Sequence, residues 1–292
     1  MDDHHASKAF LPQHHHHPRA WRENLYVYPV ISRRSGGLSI GINLNPDKAC
    51  NFDCIYCQVD RTQPSRVRDV DLEILHRELS EMIRLGQSKE LFADPLFRNV
   101  PSAMQAVQDL AFSGDGEPTT CKLFPAAVEL AADLKRAAAM NQTKMVLITD
   151  ACYLTKPDVA GALRVLDENQ GEIWAKLDAG TEAYLRRVNL PNVTLGHVVK
   201  DIIETARVRP LVIQSLFMCI DGAPPSGDEV AAYVSRLREV LDQGGRIDHV
   251  QVYTVARKPA EANVTPLTDG QVDAIADRVT RETGLRAERY YG

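Results

Sequence analysis

Three cysteines crowd into eight positions of this chain: Cys50, Cys54 and Cys57, spaced C-x3-C-x2-C. The other three, Cys121, Cys152 and Cys219, stand singly. A secreted disulfide scaffold is shorter and richer in cysteine, so a tight cluster here points to metal in a reducing compartment. Three thiolates on one short loop can meet one face of an iron–sulfur cube. Such cubes usually take four cysteines, and no fourth lies near, which leaves one iron open to bind something else. Zinc is a competing reading. It asks for four closed ligands, usually in C-x2-C pairs, and the next donor, His76, falls inside an expected helix. Three inert, buried thiols are another reading, opposed by Asn51, Asp53 and Gln58, which make the loop polar.

Other polar residues sit where apolar runs end. Ser113-Gly-Asp-Gly-Glu-Pro-Thr119 has Gly114 and Gly116, which let backbone approach a ligand closely, and Glu117, a carboxylate for an ammonium group. A tight strand–helix turn explains the same residues. Asp150 could contact a ligand or cap the following turn. Lys176 and Asp178 share a face if their segment is a strand; they could pair with each other or hold a ligand. Gln214 and Ser215 interrupt an apolar run, and one of them must point inward and find a partner. His249 to Thr254 alternates polar and apolar.

These segments need a scaffold. Strand patterns cover Leu38–Leu44, Val107–Phe112, Met145–Ile148, Ile173–Leu177, Leu211–Ile220 and Val250–Val255. Helical patterns follow them at Val70–Leu91, Leu123–Met140, Pro157 to about Leu166, Thr194–Ala206, Asp228–Leu241 and Asp269–Thr283. Six strand–helix units with no hairpin signal between them predict an α/β fold with parallel strands and right-handed crossovers. Chemistry then belongs at the C-terminal strand ends. Residues 1–24, with His4, His5 and His14 to His17, read as a flexible tail or a metal-binding tract. Residues 25–292 read as one domain.

The 292 residues carry 34 basic and 39 acidic side chains, a net charge of -5. That opposes a chain coated in positive charge for wrapping nucleic acid. Arg33, Arg34, Arg61, Arg66 and Arg68 flank the first strand and cysteine loop; an RNA or any anionic small molecule would use them equally. The longest apolar run, Leu211–Ile220, is too short to span a bilayer, and the N-terminus has no secretory pattern. A cytoplasmic protein with no membrane partner is the expectation.

The cysteine loop, with Tyr56 just before the third cysteine, resembles that of the radical S-adenosylmethionine superfamily. The resemblance runs from about Ser35 to Val255. It implies a partial (β/α)6 barrel and an oxidoreductase-type enzyme with two cofactors, a [4Fe-4S] cluster and S-adenosylmethionine. By that resemblance Cys50, Cys54 and Cys57 ligate three irons, and the fourth iron chelates the amino and carboxylate groups of S-adenosylmethionine. The reduced cluster then cleaves S-adenosylmethionine to a 5′-deoxyadenosyl radical. Tyr56 would pack near the adenine. Gly114, Gly116 and Glu117 would hold the methionine end, Lys176 and Asp178 would lie near the ribose, and Gln214 would complete the set. No catalytic side chain beyond the cluster ligands is implied. A reductant such as flavodoxin or ferredoxin is, with a small molecule or RNA as substrate. The runs Gly36–Arg61, Ser113–Thr119 and Gln251–Arg257 look like the branch containing wyosine-type tRNA-modifying synthases. Those carry a second cysteine cluster near the N-terminus, and this chain has no cysteine before Cys50. Cys121, Cys152 and Cys219 read as a second cluster or as unrelated buried thiols. The alternative from another class is a non-catalytic iron–sulfur or zinc module that binds RNA or protein on the same barrel.

Overall fold

The computed structural model describes Leu11, Gln13 and residues 21–292. The histidines of the expected tail lie outside the described residues. Trp21 is buried against Phe97.

Two strands, β1 (Val27–Ser32) and β2 (Gly37–Ile42), pair antiparallel through a tight turn. Helix α1 (Leu72–Gln87) leads to β3 (Val107–Phe112), α2 (Phe124–Ala137), β4 (Lys144–Thr149), α3 (Pro157–Asp167) and β5 (Gly171–Lys176). Then come α4 (Glu182–Val188), α5 (Leu195–Val208), β6 (Leu211–Leu216), β7 (Met218–Ile220), α6 (Gly227–Asp242), β8 (Ile247–Tyr253), β9 (Val264–Pro266), α7 (Asp269–Thr283) and β10 (Ala287–Tyr290). The main sheet runs β1-β2-β3-β4-β5-β6-β8-β10, parallel from β2 onward. β1 and β10 are its two edges, so it curls into a partial barrel and stays open.

All six expected units are present. Three departures have local causes. β1 contains Pro29, which argues against a strand in sequence but is tolerated at an edge, where one row of N–H groups pairs with nothing. β10 reads Ala-Glu-Arg-Tyr, too polar to signal a strand. The run Leu211–Ile220 divides at Phe217, whose carbonyl accepts from the Thr254 hydroxyl at 2.8 Å. Beyond that break β7 leaves the sheet and pairs with β9.

Side chains alternate along each strand. Leu110, Phe112, Met145, Leu147, Ile213 and Val250 point outward into the core under the helices, where each fully buried one contributes about 1.5–3 kcal/mol. Ala111, Val146, Trp174 and Val212 point inward and form a separate small cluster. The inner face is therefore sparse, and a cavity remains inside the curl. Asp71, Thr194, Ser226 and Thr268 cap α1, α5, α6 and α7, each worth about 1 kcal/mol. Among the described residues, no helix is long and apolar enough to cross a membrane.

Candidate active site

The interior of the curled sheet holds a cavity of about 320 Å³. Its wall includes Cys50, Cys54, Cys57, Tyr56, Gly114, Gly116, Glu117, Lys176 and Gln214. Residues far apart in sequence thus meet at one place, because parallel strands bring their C-terminal ends to one side.

The cysteine loop is pinned at both ends. At its start Asn43 donates through Nδ2 to Asp115 at 2.8 Å, and its Oδ1 accepts from the Asp115 backbone at 3.2 Å. Further along, Asp53 and Ile55 donate backbone N–H groups to Asn189 and Val188, each at 3.0 Å. The glycines serve this packing. A Cβ on Gly116 would stand 1.9 Å from the Ala49 carbonyl, and one on Gly114 would stand 2.3 Å from Asn43 Oδ1. The close approach they allow in this structure is that of the cysteine loop itself.

Burial pushes the Cys50 thiol up to about 11 and the Cys54 thiol up to about 12. Cys54 is partly compensated: Asn189 donates through Nδ2 to its sulfur at 3.3 Å. Arg61 donates to Cys57 Sγ at 3.7 Å. Among the described residues, no three His, Cys, Asp or Glu side chains converge as on a single ion. Ligands to three corners of a cube bind different irons and need no common point. The donor set therefore fits an iron–sulfur cube better than a closed zinc site.

Glu117 lines the cavity, but protein donors already occupy its carboxylate. It accepts from Thr119 N at 3.0 Å, the Thr149 hydroxyl at 2.8 Å, Asp150 N at 2.7 Å and the Thr119 hydroxyl. It braces the ends of β3 and β4 together. Asp150 caps its own turn by accepting from Cys152 N at 3.0 Å, while its Oδ2 is buried with no hydrogen bond. Asn51 is near enough to lower Asp150 but closes no hydrogen bond with it. Burial and Asp150 push Glu117 up to about 8, and burial raises Asp150 too. Two carboxyls in one dry pocket retain a shared proton.

Asp178 is placed differently from the rest. Its side chain is 1% exposed and it is absent from the cavity wall. Oδ1 accepts from Leu216 N at 2.8 Å. Oδ2 accepts from Asn189 Nδ2 at 2.9 Å and from the Tyr56 hydroxyl, and it pairs with Lys176 at 3.4 Å. Its oxygens hold Tyr56 and Lys176. Burial pulls the Lys176 ammonium down, but Asp178, Tyr253 and Cys54 outweigh it and hold the charge. Gln214 faces inward, as one of the polar pair had to, and donates to Gln251 at 3.0 Å. Ser215 faces outward, donates to Leu177 O at 2.6 Å and meets Tyr233. Cys152 and Cys219 are buried, Cys121 is half-buried, and none of the three is part of the cavity wall.

No protein-family model matches the chain. A GTPase Obg of Brachyspira hyodysenteriae is 23% identical over 253 residues, which is 84% of this chain and 32% of that protein. A UPF0026 protein of Helicobacter pylori is 22% identical over 246 residues, 84% of this chain and 70% of that one. The chain thus spans about a third of the first relative's length and more of the second. Among solved structures, native anSMEcpe with bound AdoMet superposes on 86% of this chain and 63% of its own, with a TM-score of 0.56 and 15% identity. The shared architecture is the partial barrel. A structure of TYW1 with a lysine-pyruvate adduct bound overlaps more loosely, with a TM-score of 0.49 and 12% identity over 85% of this chain and 74% of that one.

Two residues of the site escape sequence reading. Asn189, at the C-cap of α4, reads only as a helix end. Tyr253 accepts from Lys176 Nζ at 3.0 Å; the alternation of His249, Gln251 and Tyr253 signals an inward face, but which face is inward needs the sheet. Arg34, one of the arginines named in the sequence as able to meet an anion, enters the cavity from the β1–β2 turn; that turn is an element the sequence pattern does not announce.

Proposed function

We propose that this chain is a radical S-adenosylmethionine enzyme that holds one [4Fe-4S] cluster on Cys50, Cys54 and Cys57 and binds S-adenosylmethionine in the adjoining cavity. The observation that carries the reading is the meeting of those three thiols with Tyr56, Lys176 and Gln214 on the wall of one cavity inside the partial barrel. When bound and reduced, the cluster supplies the electron that cleaves S-adenosylmethionine to a 5′-deoxyadenosyl radical.

The chain's own residues do the rest. The polypeptide holds the three thiolates on a loop braced by Gly114, Gly116 and Asn43. Asn189 supplies an N–H to the Cys54 sulfur. Lys176, kept charged by Asp178, presents an ammonium group to carboxylate or hydroxyl oxygens. Tyr56 is fixed by Asp178 and lines the cavity. Glu117 sets the spacing of β3 and β4. The buried inner face of the barrel excludes water from a reactive carbon radical.

Oxidoreductase chemistry of this kind needs a single-electron donor such as flavodoxin or ferredoxin, and a reducing, cytoplasmic setting suits six free cysteines. The substrate is a small molecule or an RNA nucleotide. The test is anaerobic reconstitution with iron and sulfide, reduction with S-adenosylmethionine present, and chromatography for 5′-deoxyadenosine. The product should form in the parent chain and vanish in Cys54→Ala. A fully assembled cluster that binds S-adenosylmethionine but never cleaves it would favour the non-catalytic module instead.

A further inference from the structure

The β1–β2 turn crosses the open side of the sheet. Arg33 donates from Nη1 to the Tyr291 carbonyl just past β10 at 2.5 Å, tying the two edges. Arg34, next to it, turns into the cavity. Its Cζ lies 5.4 Å from the centroid of the Trp174 ring on β5 and 5.2 Å from that of Tyr253 on β8.

These contacts attract the charge through the ring faces but use none of the guanidinium's five N–H donors. Among the described residues, Arg34 makes no hydrogen bond and no ion pair. Lys176 also approaches the Tyr253 ring, at 5.6 Å, but Lys176 has Asp178 as its counter-ion. Asp109, an acid on the same cavity wall, accepts from Ser39 and is raised by burial toward its neutral form. Arg33 is pulled down to about 10 by burial and by repulsion from Arg34, which marks positive potential beside the turn. A half-buried guanidinium in a cavity, held by two rings with its donors unspent, is arranged to receive a planar or tetrahedral oxyanion in bidentate fashion.

We infer that Arg34 anchors the substrate of this cavity by an oxyanion group, a carboxylate or a phosphate. The inference rests on reading the cavity as the active site, and it names the class of molecule acted on: an anionic one, placed between Trp174 and Tyr253. Those rings also suit a flat organic moiety.

Inorganic phosphate and acetate, titrated separately into the full chain at matched ionic strength, probe the site. Isothermal calorimetry reads binding. Trp174 fluorescence in a Trp21→Phe background reads its location, since the chain has only two tryptophans. The expected result is saturable binding of at least one probe with a fluorescence change at Trp174. Arg34→Gln should weaken it by about tenfold or more. Arg34→Lys, which keeps the charge and loses the fork, should fall between. Tighter phosphate than acetate assigns a phosphorylated substrate, and the reverse assigns a carboxylic acid. No binding of either probe, or binding unchanged in Arg34→Gln, overturns the inference. Neither readout requires S-adenosylmethionine cleavage, so a failure here is separable from a failure of the radical reading.

Discussion

Asn189 Nδ2 stands 3.3 Å from Cys54 Sγ and 2.9 Å from Asp178 Oδ2, so one buried amide links a cluster thiol to the carboxylate that holds Tyr56 and Lys176. The two residues are 135 positions apart. An N–H aimed at a thiolate withdraws electron density from it and raises the potential of an attached cluster. Asn189→Leu is expected to assemble a cluster whose reduction potential is more negative than in the parent, read by anaerobic potentiometric titration with electron paramagnetic resonance. The same change should cost about 1–3 kcal/mol in denaturant unfolding of the cluster-free chain, because Asp178 loses a buried donor. An unchanged potential would show that the amide serves folding only.

Gly116→Ala tests the packing of the loop. A methyl group placed 1.9 Å from the Ala49 carbonyl cannot be absorbed by rotating a side chain, since the obstacle is backbone. The loop must move away. Iron and sulfide content after reconstitution should drop well below the parent's, with a stability loss of about 1–3 kcal/mol. Parent-like cluster content in a well-folded Gly116→Ala would mean that the loop is free to shift without harm.

The Glu117–Asp150 pair makes cluster-free stability depend on pH. Both carboxyls are raised in the folded chain. The unfolded chain gives up their protons in the ordinary carboxylate range, while the folded chain retains one. The stabilisation from that proton is complete below the ordinary range and is lost as pH climbs toward about 8. Thermal unfolding should therefore show a falling midpoint across that interval. Asp150→Asn, which removes the charge that raises Glu117, should flatten the fall. A rising midpoint in the parent would reverse the assignment.

Lys176→Met removes the cation from a carboxylate whose side chain is 1% exposed. Leaving Asp178 without its ion pair should cost about 3–5 kcal/mol in unfolding free energy. Calorimetry on the reconstituted protein should show weaker S-adenosylmethionine binding. Unaltered affinity would place Lys176 with the support of Tyr56 and Tyr253 rather than with the ligand.

Local chemistry made much of the site visible in sequence. The C-x3-C-x2-C spacing, the aromatic Tyr56 and the strand-end positions of Gly116, Lys176 and Gln214 are properties of short segments. The six alternating units follow from apolar periodicity, which reflects one buried stripe per helix and strands buried on both faces. These features need no knowledge of what lies across the barrel.

Tertiary structure decided what each polar group does with its hydrogen-bonding capacity. Glu117 and Asp178 look alike in sequence as carboxylates near strand ends, yet both are spent on protein donors because β4, Asn189 and Leu216 approach them from distant segments. Gly114 and Gly116 make room for Asn43 and Ala49, a proximity that arises only when the loop after β2 folds over the end of β3. Arg34 reaches the cavity because the sheet curls until β1 and β10 face each other. Hydrogen bonds and close packing are satisfied in three dimensions, between groups whose sequence separation carries no signal, so their use could be read only from the folded chain.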